Sequence, residues 1–485
     1  MNTETFVFFA YLLAMVIVGV VFFIRSKGDG EKEYFLGGRQ MGPWVTALSA
    51  GASDMSAWVL MGLPTAIYLN GLSECWIAVG LGVGYSLSWL FEAPRLRAFS
   101  IVCGDAITIP QYLSKRFLSK SHLLQAVCAV VFLIAYTIYA ASSIKACGNL
   151  FHTVMNIDEK SAMVIAAVVI VSYTFLGGFS AVCWTDFFQG MLMLGGMLIA
   201  PIFASFMLQR VADPQLPATF WNATASWKSI ASGFGWGLGY FGMPHIIIRF
   251  MSLNSQKDMR KSAVIGIGWT TFILIFAVII GILGRHCMGL DEEIASKELV
   301  FVSMVRRIFP ALISGVLLSA ILAAAMSTAD SQLLSASSSF SSDIYKPVVR
   351  SNKASDYEIL WIGRIVVLII AVIAMLLALN PKSGSIMGLV SNAWGVFGAA
   401  FGPAILLSLF WKRLSYAGAV AGIIAGAGVD IIWMLKPLCS GLYEIIPGFA
   451  AGLVVAVVVS LIASGTAEQR AKLSELFDKA VRYRE

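Results

Sequence analysis

Between Ser49 and Trp58 the chain sets one carboxylate, Asp54, among three hydroxyls, Ser49, Ser53 and Ser56, and one glycine, Gly51. The surrounding segment, residues 44–69, is otherwise apolar and long enough to cross a bilayer. A charge at that depth is expensive and points to an ion or substrate path. Glycine and serine packed around it predict a helix that breaks to expose backbone carbonyls, as transporters do to hold cations. A second stretch, 319–334, carries Ala324, Ser327, Thr328 and Ser331 at i, i+3, i+4 and i+7, hence on one helix face. Hydroxyl and carbonyl oxygens converging there could replace the water that a hard monovalent cation sheds. Such hydroxyls also glue membrane helices together, so packing is the competing reading. Asp186 and Asp330 are further acids in or near apolar segments. Either could serve a second cation or proton site, and Asp330 could equally cap the inner end of its helix.

A third stretch, 232–244, holds five glycines and Pro244 in thirteen residues. Backbone of that kind is tolerated in a membrane only where it is buried in protein or lines a cavity. Trp236, Tyr240 and Pro244 follow at i, i+4 and i+8, and Trp58 lies one turn beyond Asp54. Beside broken backbone these aromatics suit a small ligand with an apolar body, although aromatics at helical spacing also serve plain packing. Tyr136 and Tyr139 could close the same cavity.

These residues need a scaffold, and composition names it. The chain has 485 residues, 58% hydrophobic and 13% charged, against about 25% charged in soluble domains. Thirteen apolar runs of membrane-spanning length begin near Thr5, Trp44, Glu74, Leu123, Ser161, Val182, Ser229, Val264, Pro310, Ile359, Ile386, Tyr416 and Ile445. The first lacks a small-residue cleavage site and reads as a retained span. With the N-terminus outside, 23 basic residues fall in inner loops and tail and nine in outer loops, so the positive-inside rule favours N-out and C-in. Residues 107–117 could form an amphipathic surface helix, and 291–308 a short outer helix.

The interrupted spans 2 and 7 stand five apart. A five-span unit used twice must enter the membrane the opposite way the second time, giving an inverted pair with the site between its broken first helices. The expected fold is therefore an all-α integral membrane protein of about 13 transmembrane helices. Spans 2–6 (residues 44–208) and 7–11 (229–411) form the repeats of a single domain over 1–467. Span 1 and residues 416–465 are peripheral, and 468–485 form a cytoplasmic tail.

Several classes drop out. The seven cysteines are scattered without paired spacing, and the four histidines make no zinc signature. No GxxxxGK[ST] loop offers ATP as an energy source. The net charge of +7 is spread over loops, which argues against nucleic acid. No stretch reads as a soluble catalytic domain, so the chain is not expected to be an enzyme or to hold a cofactor. Lys145 and Asp430 are expected near span ends, where they can snorkel.

Residues 49–58, 235–245, 320–328 and 442–449 together resemble the sodium/solute symporter family, and within it the bacterial sodium/proline symporters. The resemblance runs over nearly the whole chain. It implies thirteen spans, an inverted five-plus-five core of the leucine-transporter type, and residence in the bacterial inner membrane. It also implies a sodium site between spans 2 and 9, formed by the backbone oxygens of Ala52, Met55 and Ala324 with the hydroxyls of Ser327 and Thr328. Asp54 and Ser56 would support sodium and substrate, while Trp58, Tyr139, Trp236, Tyr240 and Pro244 would line a proline pocket. Two positions depart from that pattern, Ala57 standing for glycine and Met243 for glutamine.

The leading expectation is thus sodium-coupled import of L-proline by alternating access. The same mechanism could carry another amino acid, a monocarboxylate, a pantothenate-like acid or a sugar. A sugar site should be richer in Asn, Gln and acids. A channel would favour a continuous polar pore, and a sensor an appended signalling domain.

Overall fold

In lipid a single chain segment can satisfy its own backbone polar groups only as a helix, and most of the described residues are helical. The computed structural model describes residues 3–25, 30–119, 121–209, 216–224, 226–436, 438, 441–463 and 465–483. Lys27, Lys120, Arg210, Cys439 and Arg484, included in the counts above, lie outside them.

The first helices are α1 (Thr3–Arg25), α2 (Glu31–Leu36), α3 (Pro43–Asp54), α4 (Leu63–Asn70), α5 (Cys75–Leu87), α6 (Ala93–Val102), α7 (Ile109–Arg116), α8 (Leu123–Met155) and α9 (Glu159–Met207). Then come α10 (Trp227–Leu238), α11 (Pro244–Ser252), α12 (Met259–Met288), α13 (Glu292–Ser296), α14 (Val300–Ile308) and α15 (Ala311–Phe340). The last are α16 (Asp356–Ala378), α17 (Ile386–Phe410), α18 (Tyr416–Leu435), α19 (Ile445–Ile462) and α20 (Ala467–Val481). Among the described residues there is no strand, only an isolated bridge between Met41 and Leu253.

Nine helical stretches among the described residues are long and apolar enough to cross a membrane. Large apolar side chains such as Val264, Phe272, Ile369 and Val454 stay exposed on them, as a lipid-facing surface requires. The protein is a multi-pass membrane protein. The segments expected as spans 2 and 7 miss that length because each is broken. Helices α3 and α4 hold 12 and 8 residues, and α10 and α11 hold 12 and 9. Gly178, at φ +64°, divides α9 between the apolar runs expected from Ser161 and Val182.

Three expectations need correction. Residues 107–117 do form a helix, α7, but Ile109, Tyr112, Leu113 and Arg116 are buried, so it packs into the protein instead of lying on a surface. Arg97, Arg116, Arg249 and Arg285, counted as loop residues, are also buried. Arg97 reaches the carbonyls of Leu253 and Asn254 at 2.9 and 3.0 Å. Asp430 does not snorkel. It is fully buried on α18, beside Gly395 and Gly448, whose missing side chains make its room.

Helices α5 and α10 cross on glycines. A β-carbon at Gly80 would lie 2.0 Å from the Gly233 carbonyl oxygen, and one at Gly84 2.2 Å from that of Gly237. Backbone cannot yield as a side-chain tip does, so Gly84→Val should cost about 3 kcal/mol or more. Thermal unfolding of the purified variant in detergent checks this, and an unchanged melting temperature would contradict the tight crossing.

Candidate functional site

Helix α3 ends at Asp54 because Met55 leaves helical geometry, with φ −76° and ψ 71°. The Ser56 N–H turns back to the Asp54 carbonyl at 2.8 Å, and the Val59 N–H reaches the Ser56 carbonyl at 3.1 Å. The Met55 carbonyl is thereby left without its helical donor. A wide π turn over Trp58–Gly62 then leads into α4. Such turns are frequent at functional sites because they re-aim side chains and free carbonyls.

Helix α15 packs its small-residue face against this break. The Ser327 hydroxyl donates to the Ala52 carbonyl at 2.8 Å, and the Ser327 and Thr328 hydroxyls each lie 3.1 Å from the Ala324 carbonyl. Ala52, Met55, Ala324, Ser327 and Thr328 are all fully buried. Four of the five expected sodium ligands therefore meet in one hydrogen-bonded cluster, with Met55 at the adjoining break. Uncharged oxygens from two helices, one of them unwound, are the donor set suited to a hard monovalent cation.

Asp54 engages the second broken span. Its Oδ2 accepts from the Tyr240 hydroxyl at 2.6 Å, and its carbonyl accepts from Trp58 Nε1 at 3.2 Å. Oδ1 has no hydrogen-bond partner among the described residues. Tyr240 belongs to a tight turn, Gly239–Phe241, between α10 and α11. Glycine is required at 239, since a β-carbon there would lie 2.0 Å from Trp394 Nε1. That indole N–H donates to the Trp236 carbonyl at 2.7 Å.

The aromatics form one cluster. Trp58 stacks on Trp236 (ring centroids 6.1 Å apart), and Trp236 on Tyr443 (5.0 Å). Tyr240 meets Trp394 and Tyr85 edge-on, each at 5.1 Å. Trp236 also borders a cavity of about 560 Å³, together with Ser73, Glu74, Asn392, Tyr443 and Glu444. Pro244 opens α11. The next residue, His245, donates its N–H to the Tyr136 hydroxyl at 2.8 Å and meets the Tyr139 ring edge-on. Trp394, Tyr443 and Tyr85 escaped the sequence reasoning. Only Tyr443 had a signal, its place in the 442–449 motif.

Asp186 and Arg249 form a separate buried network. Arg249 Nη2 lies 3.0 Å from Asp186 Oδ2, which also accepts from the Ser49 hydroxyl at 2.7 Å. Arg249 Nε donates to the Ser49 hydroxyl at 2.9 Å, and Nη2 to that of Ser331. Asp330 bonds the Ser331 hydroxyl at 3.2 Å and is fully buried. Helix α15 continues past it to Phe340, so Asp330 does not cap an end. An arginine inside the apolar run 246–250 was the available signal, since a buried cation demands a buried acid.

Further ion pairs join α2 to the segments that follow α6 and α15. Asp105 pairs with Lys32 and, at 2.9 Å, with Arg39, and Lys346 pairs with Glu31. Burial pushes the Asp105 carboxyl up, but the Lys32 hydrogen bond and the Arg39 charge outweigh it and hold it below its usual range.

Residues 34–426 match the profile of the sodium:solute symporter family. The chain belongs to this family. It is 42% identical to the osmoregulated proline transporter OpuE of Bacillus subtilis over 97% of both chains. It is 43% identical to the high-affinity proline transporter PutP of the same organism, over 92% of this chain and 96% of that one. Its fold matches that of a Na+-coupled sialic acid symporter solved in a substrate-bound outward-open state. The TM-score is 0.77 at 22% identity, over 95% and 98% of the two chains. Against the symporter pattern, Ala57 sits at φ −53° and ψ −21°, open to any L residue, so its methyl carries no backbone penalty. Met243 is buried at the N-cap of α11 and makes no side-chain cap there.

Proposed function

We propose that this protein is a sodium-coupled symporter that imports L-proline by alternating access. The observation that carries the reading is the pair of contacts across the two broken spans. Ser327 on the Ala52 carbonyl joins α15 to α3, and Tyr240 on Asp54 joins the same break to an aromatic cluster. An ion at the first contact and a solute at the second would share the break that follows α3, which is what coupling requires. The proline transporters that this chain resembles over nearly its whole length support the cargo.

In this reading the sodium ligands are Ala52, Met55, Ala324, Ser327 and Thr328, with Asp54, Ser56, Asp186 and Asp330 in support. Trp58, Tyr139, Trp236, Tyr240 and Pro244 line the solute pocket. The chain spans the bacterial inner membrane thirteen times, N-terminus outside and C-terminus in the cytoplasm, as one domain over 1–467 with a tail over 468–485. Residues 44–208 and 229–411 are inverted five-helix repeats.

The energetics suffice. One charge moving through 100 mV supplies about 2.3 kcal/mol, and a tenfold sodium gradient adds about 1.4 kcal/mol. With 1:1 coupling these support roughly 500-fold accumulation of a zwitterion.

Labelled proline uptake into vesicles, with and without an inward sodium gradient, tests the proposal. Absence of uptake and of competition by proline would remove the cargo and leave the family. Tyr240→Ala takes away an aromatic face suited to the ring and ammonium of proline. It should raise the proline concentration for half-maximal uptake at least tenfold, while sodium binding measured alone persists. A competition panel of amino acids and small carboxylic acids reads whether Met243 shifts selectivity toward bulkier apolar solutes.

A further inference from the structure

We infer that the cleft between the α17–α18 turn, the end of α19 and the tail helix α20 is a binding site for the phosphate headgroup of an anionic phospholipid. The cleft has a volume of about 520 Å³ and is lined by Lys412, Arg413, Ser415, Ser460, Arg470 and Ser474, with Leu414, Leu461 and Leu473 among them. Three cations and three hydroxyls line it, and no acid does. Lys412 is held by Asp478 at 2.8 Å, whereas no ion pair to Arg413 or Arg470 occurs among the described residues. Helix α18 begins in the cleft. The Ser415 side chain caps it by accepting from the Gly418 N–H, and the Ser415 N–H donates to the Ser460 hydroxyl at 3.0 Å. A helix N-terminus adds positive potential to that of the guanidinium groups.

Position selects a lipid over a soluble anion. Helix α17 ends at Phe410, α18 starts at Tyr416 and α19 ends at Ile462, so the cleft lies at the edge of the bilayer that these helices cross. Phe410, Leu461 and Ile462 are exposed beside it, offering an apolar track for acyl chains next to the cationic pocket. Basic pockets between membrane helices recognise anionic headgroups in this manner. The tail helix is built into the site. Its Leu473, Phe477 and Ala480 are buried, and Phe477 packs edge-on against Phe99 of α6. This docking brings Arg470 to the cleft, so a bound headgroup would fasten the tail to the transmembrane body. The inference needs only that α17–α19 cross a membrane and is independent of the cargo.

The test is native mass spectrometry of the full chain extracted from vesicles containing phosphatidylglycerol and phosphatidylethanolamine. The Arg413→Gln/Arg470→Gln variant should lose its preference for phosphatidylglycerol by roughly thirtyfold, as removal of two cations near a lipid surface implies. The Lys472→Gln/Lys479→Gln variant changes net charge equally, but neither residue lines the cleft, and it should retain lipid as the unmodified protein does. Equal loss in both variants, or loss in neither, would overturn the site. Displacement of bound phosphatidylglycerol by an equimolar amount of inorganic phosphate would overturn the lipid in favour of a soluble anion. Thermal unfolding of both variants in detergent, measured in parallel, shows that each is folded. A cargo other than proline leaves the lipid readout untouched.

Discussion

Asp54→Asn is expected to abolish sodium-driven accumulation of proline while the protein still inserts into the membrane. The substitution keeps size and shape. An asparagine carbonyl can still accept from Tyr240, so the 2.6 Å link between the broken spans survives. What disappears is the charge, and Asp54 is the one carboxylate at the interruption after α3. At an effective dielectric near 20, losing an opposite charge roughly 6 Å from a cation weighs about 3 kcal/mol, or about a hundredfold in sodium affinity. Counterflow, which needs no gradient, separates binding from coupling. Sodium-gradient uptake by inside-out and right-side-out vesicles, normalised to the amount of inserted protein, is the deciding measurement. An Asn variant that concentrates proline normally would make the charge structural. Asp54→Glu, retaining the charge on a longer arm, should recover part of the sodium dependence.

Both interruptions were legible in the sequence because polar and glycine residues inside an apolar run have no use for a continuous lipid-exposed helix. The face on α15 was legible because helical spacing alone aligns Ala324, Ser327, Thr328 and Ser331. Partners across the chain were not legible. Periodicity says which side chains share a face, but nothing in it links Ser49 to Asp186, 137 residues away. Arg249 was misread as a loop residue because the short α11 ends close to the membrane boundary that hydropathy suggests. Helix α11 follows directly on the break at 239–243, and all of its residues, Arg249 included, are buried. Trp394 joins the aromatic cluster from α17 and carries no local mark of it, while Tyr443 joins from just before α19 and is marked only by its place in the 442–449 motif. Asp430 owes its burial to glycines on two other helices, Gly395 and Gly448.

The oxygens between α3 and α15 allow ion binding to be tested apart from packing, because Ser327 and Thr328 are tied differently. The Ser327 hydroxyl bonds the Ala52 carbonyl across the two helices, so Ser327→Ala removes an interhelical contact as well as a proposed sodium ligand. The Thr328 hydroxyl bonds Ala324 on its own helix, so Thr328→Ala leaves the α3–α15 contact intact. Each loses one oxygen from a cation, worth about 1.5–3 kcal/mol for a bond to a charged group. The sodium concentration for half-maximal proline uptake should therefore rise about ten- to a hundredfold in Thr328→Ala, with little change in thermal stability. Ser327→Ala should show a similar rise together with a lower melting temperature. Thr328→Ser keeps the hydroxyl and should behave nearly as the unmodified protein. A sodium dependence unchanged in both alanine variants would place the ion elsewhere, and the buried Asp186–Arg249 network would be the next pair of residues to substitute.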